Sequence, residues 1–227
     1  GMRAAAGAIE KVILRDDVML NVIGNTKPAG ICGTALIDTV AEMLRKGLID
    51  ETGRIIAAED APADIPKALT ERLHKMEDGK VDFLLVAADK AANGENIYLR
   101  QKDVRELQLA TGAIRAGVNL LIKRAGLNVE DLGEVLLAGA FGNFIRRSNA
   151  RRVGLLPQVA CNRIRFIGNA ASLGAKMVLL SARERRYASE LRNKTEHVDL
   201  SLDQDFQMAF GEAMMFPTEE IDYCADE

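Results

Sequence analysis

The architecture follows from the stretch Val135-Leu136-Leu137-Ala138-Gly139-Ala140-Phe141-Gly142-Asn143. Its three large apolar residues predict a short buried strand, and the glycines that follow let a ligand approach the backbone closely. A similar unit recurs at Arg165-Phe166-Ile167-Gly168-Asn169-Ala170-Ala171-Ser172-Leu173-Gly174-Ala175. Open α/β sheets bind ligands at the carboxyl ends of their strands. The pair therefore predicts an α/β fold with one nucleotide- or anion-binding cleft, although two tight connections without a ligand explain the same pattern.

Composition limits the classes of function. The chain has 227 residues, 48% of them hydrophobic, which is enough for a sizeable core. Its net charge of -3 provides no global basic field for nucleic acid, and no apolar run is long enough to span a membrane. Cys32, Cys161 and Cys224 lie far apart and suit neither a disulfide framework nor an iron–sulfur cluster. Cys32, in a glycine loop, could be reactive, although a small buried residue is the commoner case. We therefore expect a reduced, cytoplasmic compartment.

Sequence periodicity and turn residues outline the elements. Alternating apolar residues predict a hairpin of strands over 8–15 and 18–23, and a glycine-rich loop follows over 24–33. Thr34 is the expected N-cap of a helix through Leu44, and Gly47 is its expected C-terminal glycine. Further predictions are a helix over 65–76, paired strands over 81–87 and 96–99, and helices over 102–125, 170–181 and 203–214. Asn169 is placed to cap the helix over 170–181.

Several polar residues have both a chemical and a structural interpretation. Asp38 could hold a metal-bound water, although a solvated helix residue is the commoner case. Asp103 and Glu106 could contact a nucleotide, but the helix dipole alone favours acidic residues in a first turn. Thr34 could touch phosphate, yet helix capping explains it fully.

A basic cluster follows the opening stretch and consists of Arg146, Arg147, Arg151 and Arg152. It could recognise a carboxylate or an acidic partner surface, and a solvated helix face is the alternative. His74 and His197 are isolated in the sequence, so no metal site is expected from them. Gly112 and Gly117 lie inside the longest helix, where packing of a close neighbour explains them better than a ligand does.

Several motifs in the same order resemble the C-terminal domain of the reductive activators of corrinoid proteins. The resemblance runs from Met2 to Pro217 and is carried by Gly1–Ile9, Gly30-Ile31-Cys32-Gly33, Gln101–Gln108, Gly112–Gly117, Leu137–Asn143, Gly154-Leu155-Leu156-Pro157 and Gly168-Asn169-Ala170-Ala171. It implies an α/β fold of the actin, sugar-kinase and heat-shock-chaperone ATPases, with a ribonuclease-H-like lobe and helices flanking a mixed sheet. Residues 2–217 would form the second lobe, and residues 218–227 an acidic tail.

The family resemblance also implies a function. Such activators use ATP, with Mg, to drive electrons from a 2Fe-2S centre to the cobalt of a corrinoid protein of a methyltransferase system, returning Co(II) to Co(I). The cluster belongs to an N-terminal domain that lies outside this sequence. The implied nucleotide-binding residues are Gly139, Ala140, Phe141, Gly142, Asn143, Gly168, Asn169, Asp103 and Glu106, and the phosphate-loop candidates are Gly30, Gly33 and Thr34.

The sequence departs from the family at three positions. Gly33-Thr34-Ala35 replaces Gly-Ser-Gly, Arg100 replaces a helix-capping Thr, and Arg146-Arg147 replaces Asp-Pro. The first lobe of the two-lobed site is also expected to lie outside the sequence, and whether a homodimer covers the gap stays open. Two alternatives therefore remain, namely a non-catalytic docking module for a corrinoid protein and a small-molecule kinase of the same superfamily.

Overall fold

A computed structural model describes residues 1–139, 144–200, 203–219, 221 and 224. Within these residues, eight strands form three small sheets, and seven α-helices lie between or beside them. The strands are β1 (Ala8–Leu14), β2 (Val18–Val22), β3 (Gly30–Ile31), β4 (Leu73–Lys75), β5 (Val81–Val86), β6 (Ile97–Leu99), β7 (Val135–Leu137) and β8 (Ile164–Phe166). The helices are α1 (Gly33–Arg45), α2 (Lys67–Thr70), α3 (Gln101–Arg124), α4 (Arg147–Arg152), α5 (Ala170–Leu180), α6 (Ala182–Lys194) and α7 (Gln204–Ala213).

The first sheet and α1 form the centre of the core. β1 pairs antiparallel with β2 and parallel with β3, which confirms the predicted hairpin. Helix α1 packs on β1 and buries Ile37, Val40 and Met43 with it. The helix begins two residues earlier than predicted, with Cys32 rather than Thr34 at its N-cap. The C-terminal glycine prediction is confirmed, since Gly47 adopts a φ of +67° directly after the cap.

The second sheet has the order β4-β5-β6, and both of its pairings are antiparallel. The predicted strand pair over 81–87 and 96–99 is confirmed. The predicted helix over 65–76 is only partly correct, because α2 ends at Thr70 and the chain then forms β4. Leu73 of β4 lies opposite Phe83 of β5, so pairing with a distant strand overrides the local helical pattern.

Helix α3 begins next to this sheet, where the backbone N–H of Gln101 donates to Asp82 of β5 at 2.9 Å, and it packs against α7. A Cβ built at Gly112 would lie 3.2 Å from the carbonyl oxygen of Ala213 and 3.2 Å from the backbone nitrogen of Met214. A Cβ at Gly117 would lie 3.2 Å from Leu200. The packing interpretation of both glycines is therefore confirmed, since each admits a close neighbour.

The third sheet is the parallel pair β7–β8, with α5 and α6 following it in the chain. These are the two strand-to-glycine units predicted at the start, and they lie side by side in register, Val135 opposite Ile164. The predicted burial of the first strand is wrong, because Leu136 is 51% exposed and Val135 and Leu137 are only partly buried. No residue of α5 is buried, although most of the helix is apolar. None of the helices in the described ranges is long and apolar enough to cross a membrane.

Candidate functional site

Two cavities meet at the loop that joins β3 to α1. The first, of about 600 Å³, is lined by Met2, Ile23, Thr34 and Phe144, among others. Phe144, which follows the glycine turn of the opening stretch in the sequence, thus lies in the same cavity wall as Gly33 and Thr34 of the predicted phosphate loop. Residues 165–175 line neither this cavity nor the second one, so the cleft predicted from the two strand-to-glycine units stays a prediction.

The second cavity, of about 340 Å³, lies on the other side of the same loop. It is lined by Gly30, Gly33, Tyr98, Arg100 and Asp103, among others. The two cavities share Cys32 and Gly33 in their walls. The structure therefore brings the phosphate-loop candidates together with Asp103 of α3, whereas Glu106 is exposed and lines neither cavity.

Thr34 is held within the fold by its own hydroxyl group. The hydroxyl donates to the carbonyl oxygen of Glu10 at 2.8 Å and lies 3.2 Å from the sulfur of Cys32. Thr34 is only 6% exposed. Its side chain therefore ties α1 to β1, and a phosphate in this cleft would have to use backbone N–H groups of the loop instead.

Asp103 and Arg100 form a backbone cap at the start of α3. A carboxylate oxygen of Asp103 accepts a hydrogen bond from the backbone N–H of Arg100 at 2.9 Å. Arg100 is the N-cap residue, at the position where the family has Thr. Asp103 thus caps the N-terminus of α3 from within the first turn, and Arg100 lines the second cavity.

The two glycine turns are joined and open to solvent. The backbone N–H of Gly139 donates to the carbonyl oxygen of Gly168 at 2.7 Å. Their φ angles are +96° and +63°, and a Cβ built on either would meet no atom within 4 Å. Asn169 accepts from the N–H of Ser172 at 3.0 Å, which confirms its predicted capping of α5. A flat aromatic ligand could therefore approach the backbone of Gly139 and of Gly168 without meeting a side chain at either position.

Four of the predicted nucleotide-binding residues lie outside the described residues. These are Ala140, Phe141, Gly142 and Asn143. The residues on either side of them, Gly139 and Phe144, are described: Gly139 has open space at its Cβ position, and Phe144 lines the first cavity.

A buried charge cluster next to this cleft was not expected from the sequence. Asp38 of α1 is 4% exposed and accepts from the backbone N–H of Val12 at 3.2 Å, from Nε of Arg146 at 2.9 Å and from Asn149 at 2.7 Å. Burial raises the pKa of its carboxyl group, although the hydrogen bonds and charge of Arg146 act against that rise. Both earlier interpretations of Asp38 are wrong, because the side chain is neither solvated nor free for a water.

Arg146 is the centre of this cluster. It also donates to the carbonyl oxygen of Val12 at 2.5 Å and lies 3.7 Å from Glu42, which is fully buried. Glu42 accepts from the N–H of Leu14 at 3.4 Å. Side chains thus provide hydrogen-bond partners for the backbone groups of β1 that lie beyond its pairing with β3. In the sequence, this cluster could have been recognised from Asp38 and Glu42, two carboxylates four residues apart on the face of α1 that is buried.

The arginine cluster is therefore mostly internal. Arg151 and Arg152 are 9% and 8% exposed, so the interpretation as a solvated helix face is wrong for them. Arg146 does recognise a carboxylate, but the carboxylate belongs to this chain. Arg146 thus joins the segment that follows the glycine turn to α1.

The prediction for the cysteines is wrong in one respect. Cys161 and Cys224 form a disulfide across 63 positions, and Cys32 is the free, buried cysteine. The predicted position of Cys32 as a small buried residue is confirmed. In the described part of the chain, no group of three or more His, Cys, Asp or Glu residues is placed to hold a metal ion.

Comparison with known proteins gives consistent matches. The family described as the C-terminal domain of RACo, the ASKHA domain, matches residues 1–226. The corrinoid activation enzyme RamQ of Eubacterium limosum is 38% identical over 217 residues, which cover 95% of this chain and 36% of RamQ. The Co(II) methylated amine-specific corrinoid protein reductase of Methanosarcina barkeri is 30% identical over 154 residues, which cover 68% of this chain and 23% of the reductase.

A solved structure gives the same result. The reductive activator for corrinoid, iron-sulfur protein superposes with a TM-score of 0.80 at 33% identity, covering 96% of this chain and 33% of that chain. The chain therefore spans about a third of the length of RamQ and of the solved activator.

Proposed function

We propose that this chain, which belongs to the family of the C-terminal ASKHA domain of RACo, is part of an ATP-dependent activator that returns a Co(II) corrinoid protein to Co(I). Membership confirms the resemblance noted in the sequence and the α/β fold class. The observation that carries the functional proposal is the match of nearly the whole chain to RamQ, a corrinoid activation enzyme. In this proposal, residues 2–217 form the second lobe of the ATPase domain.

Within that lobe, we assign nucleotide binding to the cleft around Cys32 and Gly33. Gly139 and Gly168 are open at their backbones, which suits the adenosine group, and the loop from Gly30 to Gly33 would hold phosphate through its N–H groups. Arg100 lies in the same wall and would contribute a positive charge. ATP with Mg would supply the free energy that the electron transfer requires.

The physical reason for nucleotide use is the direction of the electron transfer. Reduction of Co(II) to Co(I) is uphill, and for one electron each deficit of about 59 mV lowers the equilibrium constant tenfold. Nucleotide can offset this deficit only if it binds two arrangements of the activator with different affinity. The partner of the complete activator would be a corrinoid protein of a methyltransferase system, and its compartment the cytoplasm. The 2Fe-2S centre would lie in another domain.

Thermal unfolding of this chain with and without Mg-ATP or Mg-ADP tests the nucleotide site. At a ligand concentration of about 100 times Kd, binding to the native state adds about 2.7 kcal/mol of stability. We expect a rise in Tm for the unmodified chain. The rise should be lost in Gly168→Leu, because its new side chain enters the open face of the turn.

Gly126→Leu is the matched control for this substitution. Gly126 also has a positive φ, +70°, and open space around its Cβ position, but it ends α3 away from the cleft. Both variants carry the same backbone strain, so only the ligand effect should differ between them. A Tm that nucleotide leaves unchanged, together with retained binding of a purified corrinoid protein, would favour the docking-module alternative. Equal loss of the nucleotide effect in both variants would place the nucleotide elsewhere.

A further inference from the structure

The last described segment of the chain runs as a strap across several distant elements. We define the strap as residues 214–219, 221 and 224. Gln108 donates to the carbonyl oxygen of Met214 at 2.8 Å, and Arg115 donates to that of Met215 at 3.0 Å. The N–H of Phe216 donates to the carbonyl oxygen of Glu51 at 2.9 Å. These contacts hold the first half of the strap against α3 and the turn that follows α1.

The second half of the strap is held by one arginine and one covalent bond. Arg152 of α4 donates to the carbonyl oxygen of Ile221. Cys224 is bonded to Cys161, three positions before β8. Ile221 and Cys224 are 8% and 3% exposed, so these two residues are packed against the fold. Cys161 is only partly buried, which leaves one side of the disulfide near solvent.

Hydrogen bonds connect the strap to the charge cluster behind the cleft. Arg152 also donates to the side-chain oxygen of Asn149 at 3.3 Å, and Asn149 donates to Asp38 at 2.7 Å. Asp38 in turn holds Arg146, which lies two residues after Phe144 in the wall of the cleft. A continuous series of hydrogen bonds therefore links the second half of the strap to Arg146, two residues after Phe144 in the cavity wall.

The disulfide connects the strap to the other glycine turn through the chain itself. From Cys161, the chain passes through β8 and reaches Gly168 within seven residues. The carbonyl oxygen of Gly168 accepts a hydrogen bond from the N–H of Gly139, so this contact joins the two units. The disulfide therefore fastens the strap between the two segments that carry the glycine turns.

We propose that the Cys161–Cys224 disulfide is a redox-sensitive clasp that holds the strap on α4 and thereby constrains the positions of Phe144 and Gly168. The clasp requires only the packing described above and is independent of whether the cleft binds ATP. A disulfide is sensitive to the redox state of its surroundings, because a dithiol can exchange with it. The structure as described is the oxidised, fastened state.

Opening of the clasp is a thiol–disulfide exchange with a dithiol reductant. A thiolate of the dithiol attacks the sulfur of Cys161, forms a mixed disulfide and displaces the thiolate of Cys224, which takes up a proton. The second thiol of the reductant then displaces Cys161 as a thiol. Two electrons and two protons pass from the dithiol to the cysteine pair, and the dithiol leaves as its own disulfide. The strap is then retained only by its noncovalent contacts.

Intact-mass analysis after alkylation in denaturant tests whether the bond exists. Without a reductant, we expect one alkylated cysteine, Cys32, and after treatment with dithiothreitol we expect three. Cys161→Ser should show two alkylated cysteines under both conditions. Three alkylated cysteines in the protein before any reductant, after exposure to air, would overturn the proposal.

Hydrogen exchange under native conditions tests the mechanical consequence. Dithiothreitol should raise the exchange rate of the strap and of α4 by more than about tenfold, with β5 unchanged as an internal reference. The double variant Cys161→Ser/Cys224→Ser should exchange at the faster rate without reductant, and Cys32→Ser should behave as the unmodified chain does. Reduction that leaves α4 at its oxidised rate would refute the coupling of the strap to the glycine turns.

Discussion

The ion pair of Arg146 with Asp38 offers a quantitative test of how the end of the glycine turn is held. The side chains are 10% and 5% exposed, and Nε of Arg146 lies 2.9 Å from Oδ1 of Asp38. Removing one partner of a buried pair leaves an uncompensated charge, at a cost of about 3–5 kcal/mol. We therefore expect Arg146→Met to lower the free energy of unfolding by that amount.

Asp38→Asn should be less damaging. Arg146 then keeps Glu42 at 3.7 Å and its bond to the carbonyl oxygen of Val12, so the loss should be about 1–3 kcal/mol. The double variant Asp38→Asn/Arg146→Met should be more stable than the sum of the single losses predicts. The difference, which is the coupling energy, should lie between about 1 and 3 kcal/mol.

Urea unfolding monitored by circular dichroism measures all four proteins of this cycle. A constant m-value would show that the comparison concerns the same transition. The exposed pair of Arg165 and Glu134, with side chains 62% and 49% exposed at 2.9 Å, is the matched control. Its coupling should not exceed about 1 kcal/mol. If losses at Asp38 and Arg146 were additive to within about 0.5 kcal/mol, the reasoning about a buried pair would be refuted.

Three further predictions concern packing, pH and the clasp. Gly112→Ala should destabilise the chain by about 1–3 kcal/mol, because the new Cβ meets the backbone at the end of α7. Gly174→Ala lies in open space on α5 and should stabilise the chain by up to about 1 kcal/mol. Thermal unfolding should therefore show shifts in Tm of opposite sign for the two variants. Burial raises the pKa of Asp38, so the folded chain holds the proton of this carboxyl group more tightly than the unfolded chain does. The stability that the protonated Asp38 contributes should therefore be present at acid pH and be lost as pH rises through the raised pKa. Free energies of unfolding measured between about pH 3 and 7 should show this slope in the unmodified chain relative to Asp38→Asn. Cys161→Ser/Cys224→Ser removes a cross-link across 63 positions and should lower stability by about 4 kcal/mol in the loop-entropy description, and a loss below about 1 kcal/mol in urea unfolding would contradict it.

Elements whose signals lie within a few residues were predicted well. The hairpin of β1 and β2, the pair β5–β6 and the boundaries of α1, α3, α5 and α7 agree with the structure to within about two residues. Gly47 and Asn169 were recognised as helix-end residues because a helix terminus requires either a positive φ or a short side-chain acceptor nearby. The order and the type of these elements could thus be predicted from local periodicity and turn residues.

Local patterns were less informative where two physical explanations shared one residue type. Thr34 fits an N-cap as well as it fits a buried hydroxyl, and the structure shows that it bonds Glu10 instead. Residues 65–76 have a helical pattern, yet Leu73 pairs with Phe83. In both cases the competing partner lies on a strand that is remote in the sequence, so its contribution could not be weighed from the local pattern.

The sequence alone determined the family, the fold class and the two strand-to-glycine units, because each is a pattern of residue types over short spans. Tertiary structure decided what the charged residues and cysteines do. Arg146 and Asp38 are 108 positions apart, and Cys161 and Cys224 are 63 apart. Whether a charge is solvated or buried, and whether a thiol meets another, depends on distances that exist only after the chain has packed. The same arginine that reads as a surface charge in the sequence is therefore, in the folded chain, the residue that holds the end of the glycine turn against α1.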